Sequence, residues 1–261
     1  MIKKVIHCGD IHIRNTPERN DEYISAFNKF FNYCKINKPD RIVICGDLVH
    51  NKITISPESV RLLTYFLRGC GDICKTIIIP GNHDFLVNNH DRIDAITPIV
   101  EAIQHQNVHY YRDMGEYEDE NVNWIVYSQY QGNKRPEFNK EENKTYIGLF
   151  HGVIKGAKTD IGYDFDNGHG MEDFTGLDMV MCADIHKHQN VGDENLPIVF
   201  SSSMIQQDFG ETPNNHGFVE WDILTKEYKL IEIENEWGYY TFQPTEEELK
   251  VILEKEEINQ E

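Results

Sequence analysis

The sequence predicts an α/β domain built on two β-sheets, and three observations carry that expectation. Short β-branched runs alternate with amphipathic helical stretches through the first hundred residues. Beyond them, strand-like runs outnumber helical ones. The length, 261 residues with 39% hydrophobic and 11% aromatic content, is enough to bury a sizeable core.

The elements follow in order. Residues 5–8 (VIHC) form the first apolar run. A helix follows with Tyr23, Phe27, Phe30, Phe31 and Cys34 on one face. Residues 41–45 (RIVIC) form the second run, closed by Gly46. A helix from about 57 to 68 sets Val60, Leu63 and Leu67 on one stripe, with Pro57 as its first residue. Residues 76–79 (TIII) form the third run, stopped by Pro80-Gly81. Continuous β-branched runs of this kind belong to a mainly parallel sheet covered on both faces. The second half supplies strands at 124–127, 146–150, 179–182, 198–200, 217–221 and 228–233, the last two an antiparallel hairpin around 222–227. Residues 112–121 and 131–144 are polar and charged, and are expected to be loops. Residues 1–240 are expected to form one domain, and 241–261 an acidic helical tail.

Composition narrows the function classes. The formal net charge is −19, a surface that repels nucleic acid unless charge is unevenly placed or a partner supplies basic surface. Part of that excess is the tail, with seven Glu against two Lys from Thr245 onward. The six cysteines show no paired pattern, so reduced thiols and a cytoplasmic location are expected. No apolar run approaches the roughly 18 residues of a membrane helix, no signal segment is visible, and no membrane partner is expected.

In an open α/β sheet, ligands collect beyond the carboxyl ends of the strands. Here the first run ends in Asp10 and His12, the second in Gly46-Asp47, and the third in Gly81-Asn82-His83-Asp84. The run at 146–150 ends in His151-Gly152, and that at 179–182 in Asp184 and His186. In extended chain, residues i and i+2 project to the same side, so each Asp-Ile-His can aim both side chains at one point. One such pair alone is more often a polar turn. Five strand ends in this order are not explained that way. Mixed oxygen and imidazole donors suit Mn²⁺, Fe²⁺ or Zn²⁺. Seven candidates (Asp10, His12, Asp47, Asn82, His151, Asp184, His186) exceed the needs of one ion and point to two. The remaining histidines (His7, His90, His105, His109, His169, His188, His216) are assigned structural or surface roles. There is no G-x-x-x-x-G-K-[ST] phosphate loop and no G-x-S-x-G elbow, and Ser201-Ser202-Ser203 marks a strand end or turn.

The series D-x-H, G-D, G-N-H-D, H-G and a closing x-x-H resembles the calcineurin-like metallophosphoesterase superfamily over nearly the whole chain, from Asp10 to about Tyr240. "GDLVH" resembles its repair-nuclease branch, where a His follows the bridging Asp by three, here His50 after Asp47. "SSSMIQQDFGE" followed by "HGFVEWD" is similar to the end of the nuclease domain in SbcD-type DNA repair exonucleases and their phage relatives, the recombination endonuclease subunits. Protein Ser/Thr phosphatases, with G-D-x-H-G and G-N-H-E, are a poorer match.

The resemblance implies a two-sheet αββα sandwich and a metal-dependent nuclease subunit of a recombination or repair complex. A hydroxide activated by two metals would attack phosphorus in line. Asp10, His12, Asp47 and His186 would hold one ion, with Asp47 bridging; Asn82, His151 and Asp184 would complete the second. His83 would stabilise the transition state or protonate the leaving oxygen, with Asp84 orienting it, and His50 would steer the phosphate or the DNA end. The family's last motif is usually G-H-x-H; here Asp184 stands in place of the first His, biasing the site toward Mn²⁺ or Mg²⁺ over Zn²⁺. The partners implied are DNA, an SMC/ABC-type ATPase and a second copy of the chain, in host cytoplasm if phage-encoded. A small-molecule or cyclic-nucleotide phosphodiesterase would use the same ligands, and a silent binding module is the third alternative.

Overall fold

The computed structural model describes residues 1–89, 91–241 and 243–245. The elements of the first half are β1 (Lys4–Cys8), α1 (Asn20–Asn37), β2 (Arg41–Cys45), α2 (Pro57–Gly71), β3 (Lys75–Ile79), α3 (Thr97–Ile103) and β4 (Val108–Tyr110). Those of the second are β5 (Gly115–Asp119), β6 (Val122–Tyr127), β7 (Thr145–His151), β8 (Met179–Ala183), β9 (Gln189–Asn190), β10 (Ile198–Phe200), β11 (Gly217–Asp222) and β12 (Glu227–Glu232).

They form two six-stranded sheets, ordered β12-β11-β1-β2-β3-β4 and β5-β6-β7-β8-β10-β9. In each sheet four strands run parallel. Antiparallel pairing is confined to β11 and β12 in the first sheet and to β5 and β9 in the second. This is the two-sheet α/β architecture expected. Alternation along β1–β3 buries both faces. Ile6, Ile42, Ile44 and Ile78 meet Phe27, Phe30, Leu63 and Phe66 of α1 and α2. Val5, Val43, Ile77 and Ile79 meet Trp124, Ile147, Leu149 and Met181 of the second sheet. Burying one such side chain contributes about 1.5–3 kcal/mol. The outer face of the second sheet is covered by residues 152–178, where a 3-10 turn, Met171–Phe174, seats Phe174 against Tyr127 and Phe150.

Several sequence expectations need correction. Residues 112–121 are not all loop, because β5 pairs with β6 at the edge of the sheet. Its Glu-Tyr-Glu pattern exposes one face and so hides an edge strand among polar residues. Val60 lies off the buried stripe of α2 and is 38% exposed, while Leu62, Leu63, Phe66 and Leu67 face the core. Pro57 does open the helix, and the preceding Ser56 hydroxyl accepts the Ser59 N–H at 3.1 Å. The tail beyond 245 and His90 lie outside the described residues. No helix among the described residues is long and apolar enough to cross a membrane.

Candidate metal centre

The carboxyl ends of β1, β2, β3, β7 and β8 meet on one edge of the sandwich, and all seven predicted ligands lie there. Close approach is built in. A Cβ on Gly81 would lie 2.2 Å from Asp47 Oδ1, and one on Gly46 would lie 2.7 Å from His151 Nδ1. These glycines let the β2 and β3 turns pack against the cluster.

The local geometry differs from simple strand alternation. β1 ends at Cys8, and Asp10 (φ 50°) and His12 (φ 47°) then turn left-handed, as do Asp47 (φ 54°) and Asp184 (φ 102°). Left-handed backbone disfavours side chains with a Cβ by roughly 1–2 kcal/mol per residue. Four of the seven candidates hold that conformation, which is strain concentrated at one site. The neighbouring strands over-determine it: Asp10 N–H donates to the Gly46 carbonyl at 3.1 Å and His12 N–H to the Asp47 carbonyl at 2.9 Å.

The side chains converge. His12 Nε2 lies 3.1 Å from His186 Nε2 and 3.4 Å from Asp47 Oδ2. His186 Nε2 lies 4.0 Å from Asp10 Oδ1. Asp47 Oδ1 lies 3.4 Å from His151 Nε2, which is 3.5 Å from Asp184 Oδ1. Asn82 Nδ2 donates to Asp184 Oδ1 at 3.3 Å. The ligand atoms of Asp10, His12 and His186 all lie within 4.8 Å of one another, and so do those of Asp10, Asp47 and His151. Asp10 belongs to both groups, and Asp47, a member of the second, also lies 3.4 Å from His12 of the first.

The donor set fits divalent cations. His151 Nδ1 is 2.6 Å from the Cys45 carbonyl, which orients the ring and leaves Nε2, facing Asp47 and Asp184, as the atom that would bind a cation once its proton is lost. That Nε2 and Asn82 Oδ1 are buried without hydrogen-bond partners. A buried acceptor left unmatched is costly, and a cation satisfies it. Two ligands at roughly 2.1 Å from one ion and near a right angle sit about 3 Å apart, which matches the His12–His186 separation.

Electrostatics sharpen the picture. Burial lifts the Asp10 carboxyl to about 7, with the His186 and His151 imidazoles pulling back. Burial would raise Asp47 too, but the His151 and His12 imidazoles hold it well below the usual carboxylate range. Burial opposes protonation of His186, yet its hydrogen bond to Glu211 raises it to about 9. His12 is driven down by burial. Burial opposes protonation of His151 too, but the Asp47 and Asp184 carboxylates raise it well above an ordinary imidazole. Metal binding requires Asp10, His186 and His151 to give up their protons.

The assigned helpers are partly relocated. His83 lies against His12, with ring centroids 4.8 Å apart, and its Nδ1 is held by the His50 carbonyl at 2.7 Å. Asp84 does not orient it. Both Asp84 oxygens accept backbone N–H groups, from Asp47 and Gly81 at 2.9 Å each, and from Leu48 and Val49 at 2.9 and 3.3 Å. Asp84 therefore locks the β2 turn that presents Asp47. With four backbone donors around it, the buried Asp84 carboxyl is committed to the β2 and β3 turns and not to the imidazole of the adjacent His83. His50 stacks on His83 at 5.2 Å.

Sequence reasoning assigned no role to Glu211. Its Oε1 lies 2.5 Å from His186 Nδ1, and its Oε2 accepts the Gln207 N–H at 2.8 Å. The only signal was its place at the end of the SSSMIQQDFGE segment. The other histidines keep structural roles: His216 bonds Ser203 and Thr212, His169 meets Asp173, and His188 meets the Phe200 carbonyl.

Residues 3–188 match the family of calcineurin-like phosphoesterases. Over 254 residues the chain is 36% identical to an uncharacterized protein of Acanthamoeba polyphaga mimivirus, covering 92% of this chain and 19% of that protein. It thus spans about a fifth of that relative's length. A structure described as a novel archaeal phosphodiesterase aligns over 88% of this chain and 99% of that one, at 12% identity and TM-score 0.48. GAP50, the anchor in the inner membrane complex of Plasmodium, aligns over 89% of both chains at 11% identity and TM-score 0.52, a likeness of fold alone.

Proposed function

The chain belongs to the calcineurin-like phosphoesterase family, and from that premise we propose that it hydrolyses phosphodiester bonds in DNA with two divalent cations, Mn²⁺ foremost. The observation that carries the reading is the convergence of seven oxygen and imidazole donors from five strand ends, with Asp47 touching both groups. Asp10, His12, Asp47 and His186 would hold one cation; Asn82, His151 and Asp184, sharing Asp47, the other. Bound there, such cations lower the pKa of water and neutralise charge on a phosphate.

The chain's own groups supply the rest. With Nδ1 committed to the His50 carbonyl, His83 presents Nε2 for proton exchange with the departing oxygen. Asp84 keeps Asp47 in place through backbone hydrogen bonds. Glu211 fixes the ring of His186.

DNA as substrate is supported by His50, three residues after Asp47 and stacked on His83, and by residues 201–211, which wrap the centre through Glu211. The charge of −19 is opposed to unaided binding of a polyanion, so an SMC/ABC-type ATPase or a second copy of the chain is proposed as the source of further DNA-binding surface. The viral relative is compatible with action in host cytoplasm. The same charge favours a second reading, a small-molecule phosphodiesterase on the same ligands.

Assay of the Mn²⁺-loaded protein on single- and double-stranded DNA, bis-(p-nitrophenyl) phosphate and cyclic nucleotides separates the two. Turnover of DNA is expected; turnover of cyclic nucleotides alone would establish the second reading. His83→Ala should lower kcat by about 10²–10⁴-fold while retaining both metals. Loss of metal would show that His83 is a ligand instead.

A further inference from the structure

Arg14 has no part in the roles assigned above, yet it sits at the rim of the centre in a continuous chain of hydrogen bonds. His186 Nδ1 meets Glu211 Oε1, and Glu211 Oε2 accepts the Gln207 N–H. The Gln207 carbonyl accepts from Arg14 Nη2 at 3.1 Å, and Arg14 Nη1 lies 3.3 Å from His50 Nε2. The His50 carbonyl then holds His83 Nδ1. The guanidinium is thus anchored at two points and is half-buried, while its Nε is buried with no partner. With burial first and Arg14 next disfavouring its protonation, His50 accepts from Arg14 as a neutral ring, so the network leaves the Arg14 charge uncompensated. The guanidinium makes no ion pair with a carboxylate among the described residues and stands open to an anionic ligand.

Position says which anion. Arg14 bonds His50, whose ring centroid lies 5.4 Å from that of His12, and makes no hydrogen bond or ion pair with the seven candidate ligands among the described residues. The guanidinium thus borders the centre through His50 and is not one of the groups that would hold the reacting phosphate. In a polynucleotide the next negative charge is the neighbouring phosphate of the same strand. We propose that Arg14 binds the phosphate adjacent to the one being hydrolysed, so that the site selects polynucleotides over isolated diesters. This rests on the DNA reading above and adds the recognition element that reading lacks. Arg suits the task, since its planar fork can keep Gln207 and His50 on one edge while offering the remaining N–H groups to phosphate oxygens.

The test compares wild type with Arg14→Ala and Arg14→Lys. Two substrates are used, a single-stranded oligonucleotide and bis-(p-nitrophenyl) phosphate, which has one phosphate. A binding measurement with a short phosphorothioate oligonucleotide over a salt series accompanies them. With Arg14→Ala, the loss of kcat/KM on the oligonucleotide should exceed that on the small diester by about tenfold, concentrated in KM. The slope of log affinity against log salt should fall by about 0.7, the release expected for one phosphate contact on a single strand. Arg14→Lys should recover part of the affinity, because it keeps the charge and loses only the fork. Equal losses on both substrates, an unchanged salt slope, or a lysine variant as impaired as the alanine one would overturn the assignment. Each would leave the DNA reading standing if wild type still cleaves the oligonucleotide. A wild type that hydrolyses only the small diester would remove the DNA reading, and Arg14's assignment with it.

Discussion

The tripeptide Asp-Ile-His occurs at 10–12 and again at 184–186, and the two copies face each other across the centre in opposite electrostatic states. Asp10 and His12 are sealed in: the Asp10 side chain is 0% exposed, against 17% for Asp184. His12 is driven toward the neutral form by burial and has no partner at Nδ1. His186 carries the Glu211 carboxylate on that same atom and is lifted to about 9. Identical residues thus differ because one ring is buried with no partner at Nδ1 and the other carries there an anion 25 residues away in sequence. Ligand identity is local information, whereas protonation is set by whatever the fold places behind the ligand.

The strongest way to break that comparison is to neutralise the two aspartates separately. Asp10 also accepts the Asp184 N–H at 3.0 and 3.2 Å, so it joins the two tripeptides as well as facing the cations. Asp10→Asn should lower kcat/KM by on the order of 10³-fold, the scale seen when a key electrostatic group is lost from an active site, and should lower metal content. Asp184→Asn, at the open end, should lose about tenfold or somewhat more, keeping an oxygen donor with Asn82 beside it. Kinetics on bis-(p-nitrophenyl) phosphate with metal analysis on both variants decides the point. Equal losses would mean that burial does not separate the two copies.

Glu211→Gln removes the anion from behind His186 and should make the second copy resemble the first. Loss of such an outer carboxylate typically weakens metal binding by about 10–100-fold. The pH dependence carries the sharper sign. In the metal-free wild type, Asp10 raised to about 7, His186 raised to about 9 and His151 raised well above an ordinary imidazole all hold protons in acid. Affinity should therefore rise with pH through this range, by about tenfold per unit for each proton displaced. In Glu211→Gln the His186 proton is held less tightly and competes less near neutrality. The variant's deficit should be largest at or above pH 9 and narrow as pH falls toward 7. Metal titrations at two pH values test this, and a deficit constant with pH would show that Glu211 acts by orientation alone.

The legible parts of the molecule were those written in contiguous residues. The apolar runs marked β1, β2 and β3 and placed ligands at their ends, and the hairpin of β11 and β12 was marked by its turn. What stayed hidden depends on partners distant in sequence or on exposed faces. β5 hides because an edge strand needs few apolar residues. Asp84 sits in a recognisable motif, but only the fold shows its oxygens collecting four backbone amides rather than the adjacent imidazole. Arg14 and Glu211 carried no role in the sequence, because only the fold sets Arg14 against Gln207 and Glu211 against His186. The convergence of Asp10 with His12 was anticipated from strand alternation, yet it arises from two left-handed residues beyond the strand end.

The smallest expected effect concerns the one departure from the family's closing motif, Asp184 in place of His. Three carboxylates against two divalent cations leave the centre at about +1, where an imidazole at 184 would leave about +2 by the same counting. Asp184 Oδ1 lies 3.5 Å from His151 Nε2, within the cluster, so its charge acts on the centre directly. A hard oxygen donor there favours Mn²⁺ or Mg²⁺ over Zn²⁺. Asp184→His should then shift preference toward Zn²⁺ by about tenfold, roughly 1.4 kcal/mol, with both sites still filled. At 17% exposure the position has room for the larger ring, so misfolding is not the expected outcome. Competitive titration of Mn²⁺ against Zn²⁺ with the two proteins measures the shift. If the preference is the same in both, Asp184 does not tune the metals through its charge, and the two Asp-Ile-His copies differ only in what stands behind their histidines.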